Sequence, residues 1–137
     1  MFFKKNKKED EDKNFVKIAS LLIHAAKIDE NFSKTEEKII REALLKLGAK
    51  NERLESIIKA GKLMEENANQ ILDFTREVKN MDENKKIQII ETLWQIIYSN
   101  KEADIYETNL MRRLAGLLYV DNKTMGDIKE KIKKENS

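Results

Sequence analysis

Apolar residues recur at helical spacing along most of the chain. In the first clear segment, Phe15, Ile18, Leu22 and Ala25 lie three or four positions apart, which places them on one face of an amphipathic helix. Segments with the same period continue as far as Ile132, and no stretch alternates apolar and polar residues as a half-buried strand does. The pattern predicts an all-α protein, a bundle of about seven helices joined by short links.

Polar residues and one glycine mark the predicted helix ends. The segment Ser33-Lys-Thr-Glu36 has the form of a capping box, in which the serine and the glutamate each satisfy a free amide of the first turn. Asp104 and Glu107 repeat this spacing later in the chain. Gly48 follows an apolar helical segment and can adopt the left-handed conformation that closes a helix.

Two stretches of the sequence are related by a shift of 71 positions, which places Leu22 on Leu93. The same shift pairs the polar residues Asp29 with Asn100, Ser33 with Asp104, Glu36 with Glu107, and Arg41 with Arg112. The repeat predicts two related helix–loop–helix hairpins that pack as pseudo-symmetric halves.

Length and charge limit the classes of function. At 137 residues the chain is long enough for one domain with a single core, which we place at residues 14–137 after a charged, flexible arm at 1–13. The 27 basic and 25 acidic residues alternate along most segments and leave a net charge of +2. This balance favours a solvated helical surface over a nucleic-acid footprint.

The sequence carries no cysteine and no long apolar run. Disulfides, thiolate zinc sites and thiol nucleophiles are therefore excluded, and no segment is apolar enough to span a bilayer. The first residues lack the apolar stretch of a signal peptide, so a cytoplasmic location is the simplest expectation. Phe2, Phe3 and the lysines that follow indicate at most weak contact with an anionic membrane, which the acidic residues 9–12 would oppose.

The two predicted inter-helix loops are rich in oxygen ligands. Asp29 and Glu36 flank the first loop, and Glu102 and Glu107 occupy the second, so these four carboxylates are candidate ligands for Ca²⁺ or Mg²⁺. An EF-hand is not present, because the position that requires glycine, counted from Asp29, is Lys34. Helix capping accounts for Glu36 and Glu107 without a cation and is the favoured interpretation.

His24 is the sole histidine and lies within the apolar half of the first predicted helix. A general base needs an oriented partner, and no nucleophile is linked to this histidine by sequence. We therefore expect a structural histidine bonded to the backbone and no enzymatic activity. The alternative, an enzyme of unknown type, requires a polar pocket around His24.

Aromatic residues flank the second predicted hairpin. Trp94 lies in helical register with Ile90 and Ile97, which favours a place in the core. Tyr98 and Tyr106 lie nearer the loop and are the better candidates for contact with a partner protein.

The hairpins resemble the TerB-like family, the all-helical domain of tellurite-resistance TerB proteins and of the N-terminal region of the co-chaperone DjlA. The likeness rests on Ala26-Lys-Ile-Asp-Glu-Asn-Phe-Ser-Lys-Thr-Glu36 and on the second loop ending at Glu107, and the segment 112–120 strengthens it. It covers about residues 14–135, and the chain resembles the small stand-alone bacterial members of the family. Each of the two family loops carries an aspartate followed by glycine; here Glu30 and Lys101 replace the glycines, and Asn100 replaces the second aspartate. The His-Pro-Asp motif of a J domain is excluded because the chain has no proline.

The resemblance implies a non-enzymatic protein-interaction or scaffold module linked to stress or envelope processes. The partner would be a protein whose identity the sequence does not reveal. The alternative function is a divalent-cation sensor that uses the two acidic loops.

Overall fold

The computed structural model describes residues 7–28, 33–68, 72–99 and 105–135, with side chains described for the same residues other than 7–11, 72, 73, 77 and 105. These ranges contain seven α-helices and no strand. The helices are α1 (Lys7–Ala26), α2 (Lys34–Lys46), α3 (Leu54–Asn67), α4 (Leu72–Lys79), α5 (Glu83–Tyr98), α6 (Ile105–Leu117) and α7 (Asn122–Glu135), with a short 3₁₀ turn at Asn51–Arg53. The predicted all-α bundle is confirmed.

The predicted capping chemistry of the first hairpin is present at both ends of α2. The amide of Glu36 donates to Ser33 Oγ at 3.1 Å, and the amide of Ser33 donates to Glu36 Oε1 at 2.8 Å. At the other end, Gly48 adopts a φ of 111°, and the amide of Ala49 reaches back to the carbonyl of Leu44 at 2.9 Å. This is the Schellman closure that the glycine predicts.

Helix α1 begins at Lys7, within the segment for which the sequence predicts a flexible arm. Asp12 in that segment contacts the start of the third helix region, since its Oδ2 lies 3.4 Å from Arg53 Nε. The expectation of an arm is therefore corrected for residues 7–13, because charged residues there continue the first helix. Residues 1–6 lie outside the described part of the chain.

The bundle consists of two units that the sequence repeat relates. The first unit contains α1, α2 and α3, the second contains α5, α6 and α7, and α4 lies between them in the chain. A shift of 71 positions carries the bounds of α2, Lys34–Lys46, onto those of α6, Ile105–Leu117. It also carries Asn51, where the 3₁₀ turn before α3 begins, onto Asn122, where α7 begins. The repeat thus covers three helices per unit and extends beyond the predicted hairpins.

Helices α1 and α5 form the centre of the core and pack against each other. Their inward residues, among them Ile18, Leu22, Ile90 and Leu93, are fully buried. Burial of one such side chain stabilises the fold by about 1.5–3 kcal/mol before conformational entropy is counted. Within the described ranges, none of the helices is long and apolar enough to cross a membrane.

Helices α1 and α3 approach each other closely at Gly61. A Cβ atom on Gly61 of α3 would lie 2.9 Å from the Cβ of Ala19, so no larger residue fits without movement. Ser20 Oγ uses this approach to donate to the carbonyl of Gly61 at 3.1 Å. The glycine therefore allows the two helices of the first unit to meet backbone to backbone.

Candidate functional site

The structure buries the two glutamates that follow the acidic loops. Glu36 is 1% exposed and Glu107 is 4% exposed, although the side chains belong to the first turns of α2 and α6. The capping box accounts for Glu36. The other two candidate ligands, Asp29 and Glu102, lie outside the described residues, as does the predicted cap Asp104. Among the described residues no group of three or more His, Asp or Glu side chains is placed to hold a metal ion. Cation binding by the loops stays a prediction.

His24 is bonded to a carboxylate and not to the backbone, which corrects the expectation for its partner. Its Nδ1 lies 3.2 Å from Oε2 of Glu65 on α3, and Lys27 Nζ donates to Oε1 of the same carboxylate at 2.7 Å. Burial alone would raise the pKa of the Glu65 carboxyl, but the hydrogen bonds from Lys27 and His24 lower it overall from its ordinary value. The hydrogen bond to Glu65 likewise raises the pKa of Lys27. The three side chains join α1 to α3.

Tyr98 belongs to the core, which corrects its predicted role at an interface. It is 5% exposed, and its ring stacks on that of Trp94, with 5.9 Å between centroids and 24° between planes. Burial, together with the nearby carboxylates of Glu130 and Glu107, raises the pKa of the Tyr98 phenol. This placement was predictable from the sequence, because Trp94 and Tyr98 lie four positions apart on one helix face.

Tyr106 is 72% exposed, so it is accessible to a partner, and its predicted role in contact with one stays a prediction. The other exposed positions of α6 and its end follow at helical spacing and are Asn109, Arg112, Arg113, Gly116 and Tyr119. Glu107 is the sole acidic residue of the sequence between positions 105 and 119, and it is buried. The solvent face of α6, as defined by these exposed residues, therefore carries two tyrosines and two arginines without a carboxylate.

Tyr119 also flanks the second hairpin, although Tyr98 and Tyr106 were the favoured contact residues, and it has an unusual backbone conformation. Its φ is 56°, and the amide of Val120 reaches back to the carbonyl of Ala115 at 3.0 Å, which closes α6 as Gly48 closes α2. A residue with a Cβ costs about 1–2 kcal/mol in this left-handed conformation. The side chain is 71% exposed, with Lys79 Nζ lying 5.6 Å from the ring centroid. The signal available in the sequence was the repeat, which aligns Tyr119 with Gly48.

A recess of about 220 Å³ lies between α6 and α7. Trp94, Met111 and Met125 contribute apolar surface to it, and Arg112 and Lys129 contribute the charged groups. Lys129 Nζ lies 5.6 Å from the centroid of the Trp94 ring, a cation–π arrangement. The α6/α7 recess therefore combines an aromatic and thioether lining with positive charge.

The described residues thus form two related three-helix units with buried glutamates at equivalent helix starts. The sequence profile of the family described as tellurite resistance protein TerB matches residues 15–130 of the 137-residue chain. The chain belongs to the TerB family, which confirms the resemblance carried by the hairpins. No curated protein and no solved structure was found to match it.

Proposed function

We propose that the protein is a non-enzymatic protein-interaction module, a scaffold that acts in stress-related or envelope-related processes. The observation that carries this proposal is the solvent face of α6, where Tyr106, Arg112, Arg113 and Tyr119 are exposed together. Tyrosine and arginine are, with tryptophan, the residue types enriched at binding hot spots, where they combine a large contact area with hydrogen bonding. The reference to stress and envelope processes rests on TerB family membership.

The conformation of Tyr119 supports the same proposal. Glycine occupies the equivalent position of the first unit, where it adopts the left-handed conformation without steric cost. A tyrosine in that conformation, with its ring in solvent, makes the fold less stable than glycine would. Backbone strain of this kind concentrates at functional sites, so contact between this ring and a partner is a reason for its presence.

The surroundings of His24 support a non-enzymatic role. Its Nδ1 is engaged by Glu65, which is also engaged by Lys27, and its ring lies 5.8 Å from that of Phe74. The serine nearest to it in the first helix, Ser20, donates its hydroxyl to backbone carbonyls of Val16 and Gly61. The hydroxyl and the imidazole thus serve contacts within the fold.

The proposal is tested by affinity capture of the tagged protein from its native cells, with quantitative mass spectrometry of soluble and detergent-extracted fractions. The test variant is Tyr106→Ala/Tyr119→Ala, and the matched control is Leu45→Ala/Leu63→Ala, which removes two side chains that are 40% and 54% exposed on the first unit. We expect a saturable partner that the tyrosine variant loses and the leucine variant keeps. Recovery of the bait alone from every fraction, or equal losses in both variants, would contradict the proposal.

The alternative function is a divalent-cation sensor with Asp29, Glu36, Glu102 and Glu107 as ligands. The observation in its favour is that Glu36 and Glu107 occupy equivalent positions of the two units and are both almost fully buried. A sensor of this type would melt at a higher temperature in millimolar Ca²⁺ or Mg²⁺, and Asp29→Ala/Glu107→Ala would abolish that rise. A melting curve that saturating cation leaves unchanged would exclude it.

A further inference from the structure

We infer that the α6/α7 recess binds an acidic segment of a partner protein, with a carboxylate of that segment paired to Arg112 and a neighbouring apolar side chain seated against Trp94, Met111 and Met125. The inference rests on the proposed function, since it names the chemistry of the partner that a protein-interaction module would hold. The recess shares Arg112 with the solvent face of α6 but contains neither exposed tyrosine, so variants at the tyrosines and at the recess lining separate the two proposals.

The first unit shows what an arginine at this position does when its partners are present. Arg41 on α2 is paired with Glu55 on α3, and its Nη2 lies 3.6 Å from Glu37 Oε1. The pair with Glu55 raises the pKa of the Arg41 guanidinium and lowers that of the Glu55 carboxyl. Lys62 Nζ on α3 also reaches Glu37 Oε1, at 3.3 Å. Carboxylates and cations are thus matched across the α2–α3 seam.

The second unit keeps the arginine and lacks both carboxylates. The shift of 71 positions places Arg112 on Arg41, Thr108 on Glu37 and Gly126 on Glu55. Arg112 is exposed, and it forms no ion pair with any residue in the described part of the chain. The residues one helical turn away on α6 are Thr108 and Gly116, so its own helix supplies no carboxylate at the spacing that pairs side chains. A partner that brings a carboxylate would restore the pairing that the first unit makes internally.

The rest of the lining fits an acidic segment with an apolar neighbour. Lys129 adds a second positive charge beside Trp94. Met111 and Met125 are flexible thioether side chains that adapt to the shape of an incoming group. A Cβ atom on Gly126 would meet no atom within 4 Å, so the approach from the α7 side is open to a partner backbone.

An unpaired donor lies in the same lining. The indole Nε1–H of Trp94 is buried and meets no hydrogen-bond acceptor among the described residues. Buried donors without acceptors are uncommon in folded proteins, and each one costs free energy that a partner acceptor can recover. Lys129, which covers the ring, is long and flexible enough to move when a carboxylate attracts its ammonium group.

Charge complementarity thus selects the occupant. Arg112 offers a planar fork that binds a carboxylate through two parallel hydrogen bonds, which are stronger than bonds between neutral groups. The recess in the equivalent region of the first unit has a volume of about 340 Å³, but it is lined by Glu37 and Glu55 as well as by lysines. An acidic segment therefore meets two carboxylates at the first unit and none in the lining of the recess at the second.

The test uses selection of random displayed peptides on the immobilised full-length protein, followed by titration of the most enriched peptide. Trp94 is the sole tryptophan of the chain, so its fluorescence reports occupancy of the recess directly. We expect enriched peptides to carry Asp or Glu next to a large apolar residue and to change the Trp94 emission on binding. The matched peptide, with Gln or Asn in place of the acids, should bind at least about tenfold more weakly.

Two variants locate the site on the protein. Arg112→Gln should weaken the enriched peptide by about tenfold or more, whereas Arg41→Gln, the matched change in the first unit, should leave its affinity unchanged. Thr108→Glu/Gly126→Glu supplies the two missing carboxylates in the same chain and should abolish binding while the helical circular dichroism stays intact. This second variant keeps the test decisive even where loss of Arg112 alters the local fold.

Several outcomes would overturn the inference. Enriched peptides without acidic residues, affinity that Arg112→Gln leaves unchanged, or dimerisation of the chain that Arg112→Gln abolishes would each assign the recess a different occupant or none. Peptides that depend on Tyr106 and Tyr119 but not on Arg112 would overturn the inference and leave the proposed function standing. Absence of any saturable peptide, together with absence of a captured partner, would contradict both.

Discussion

In the first unit Arg41 lies between Glu37 and Glu55, whereas its counterpart Arg112 in the second unit lies beside Thr108 and Gly126. Helices α2 and α6 share their bounds under the shift of 71 and end in the same closure, yet the arginine of the first unit is paired internally and that of the second is left to solvent. Surface ion pairs between exposed groups contribute little to stability, about 0–1 kcal/mol each. Loss of the carboxylates therefore costs the second unit little and leaves a cation available for binding.

The contacts that hold the third helix of each unit, α3 against α1 and α7 against α5, differ as well. Gly61 lets α3 approach α1 closely, whereas the equivalent position on α7 is the buried Ile132, which fills the space between α7 and its neighbours. The α5–α7 seam also carries an ion pair, with Lys131 Nζ 3.0 Å from Glu91 Oε2. In the first unit α3 is held by its close approach to α1 at Gly61. In the second unit α7 is held instead by packing of the aliphatic side chain of Ile132.

The largest effect is expected at the aliphatic seam of the second unit. Ile132→Ala should lower the free energy of unfolding by about 2–5 kcal/mol, because it removes a fully buried side chain and leaves a cavity. Urea unfolding followed by circular dichroism measures the change. Leu63→Ala, which removes a side chain that is 54% exposed on α3, is the control and should change stability by no more than about 0.5 kcal/mol. Equal losses in both variants would show that α7 does not pack as described.

The close contact between α1 and α3 should be destabilised by a side-chain carbon added at Gly61. Gly61→Ala should destabilise the fold by about 1–3 kcal/mol, because the new Cβ would lie 2.9 Å from that of Ala19. Gly116→Ala provides the matched control, since a Cβ there meets no atom within 4 Å and alanine favours the helix by up to about 1 kcal/mol. Thermal and urea unfolding should show a lower stability for Gly61→Ala and a higher stability for Gly116→Ala than for the unchanged protein. A stabilising Gly61→Ala would remove the distinction between the seams.

The polar link of the first unit should be sensitive to acid. The folded-state pKa of Glu65 lies below its ordinary value of 4.5, so its contribution to stability is complete above that pH and is lost as the pH falls through the lower folded pKa. Glu65→Gln should therefore cost on the order of 1 kcal/mol at neutral pH and progressively less in acid. Unfolding curves between neutral and acidic pH, with Glu66→Gln on the same helix as control, measure this convergence. A constant difference at every pH would contradict the assigned pairing.

The smallest effect is expected at the end of α6. Tyr119→Gly should stabilise the fold by up to about 1 kcal/mol, because glycine adopts a φ of 56° without a Cβ clash. Gly48→Ala at the equivalent position of the first unit should destabilise it by a similar amount. The melting temperature of each variant, compared with that of the unchanged protein, tests the two expectations. Destabilisation by Tyr119→Gly would mean that the ring supports the fold and would weaken its assignment to a partner.

Local chemistry predicted much of the fold. The capping box of Ser33 and Glu36 and the left-handed Gly48 depend on residues within one helical turn, so the sequence alone carried enough information to locate them. The repeat likewise anticipated the equivalence of α2 and α6, because it preserves the apolar period of both helices. The expectation of an all-α bundle followed from the same periodicity.

Contacts between distant segments were not predictable in this way. The pairing of His24 with Glu65 joins residues 41 positions apart, and no local sequence pattern predicts that the two side chains meet. The α6/α7 recess depends on the angle between two helices and on the absence of a side chain at Gly126. Tyr98 was predicted to lie at an interface because it is near a loop, but its helical register with Trp94 places it in the core.

The most direct test of the contrast between the units is a ¹H–¹⁵N correlation spectrum of the labelled protein during titration with the selected acidic peptide. We expect shifts at the backbone amides of Arg112, Gly126 and Lys129 and at the indole Nε1–H of Trp94. The equivalent amides of the first unit, those of Arg41 and Glu55, should stay in place. Shifts that follow Arg41 and Glu55 as strongly, or that leave the Trp94 indole unchanged at saturation, would contradict the account that the second unit alone is open to a partner.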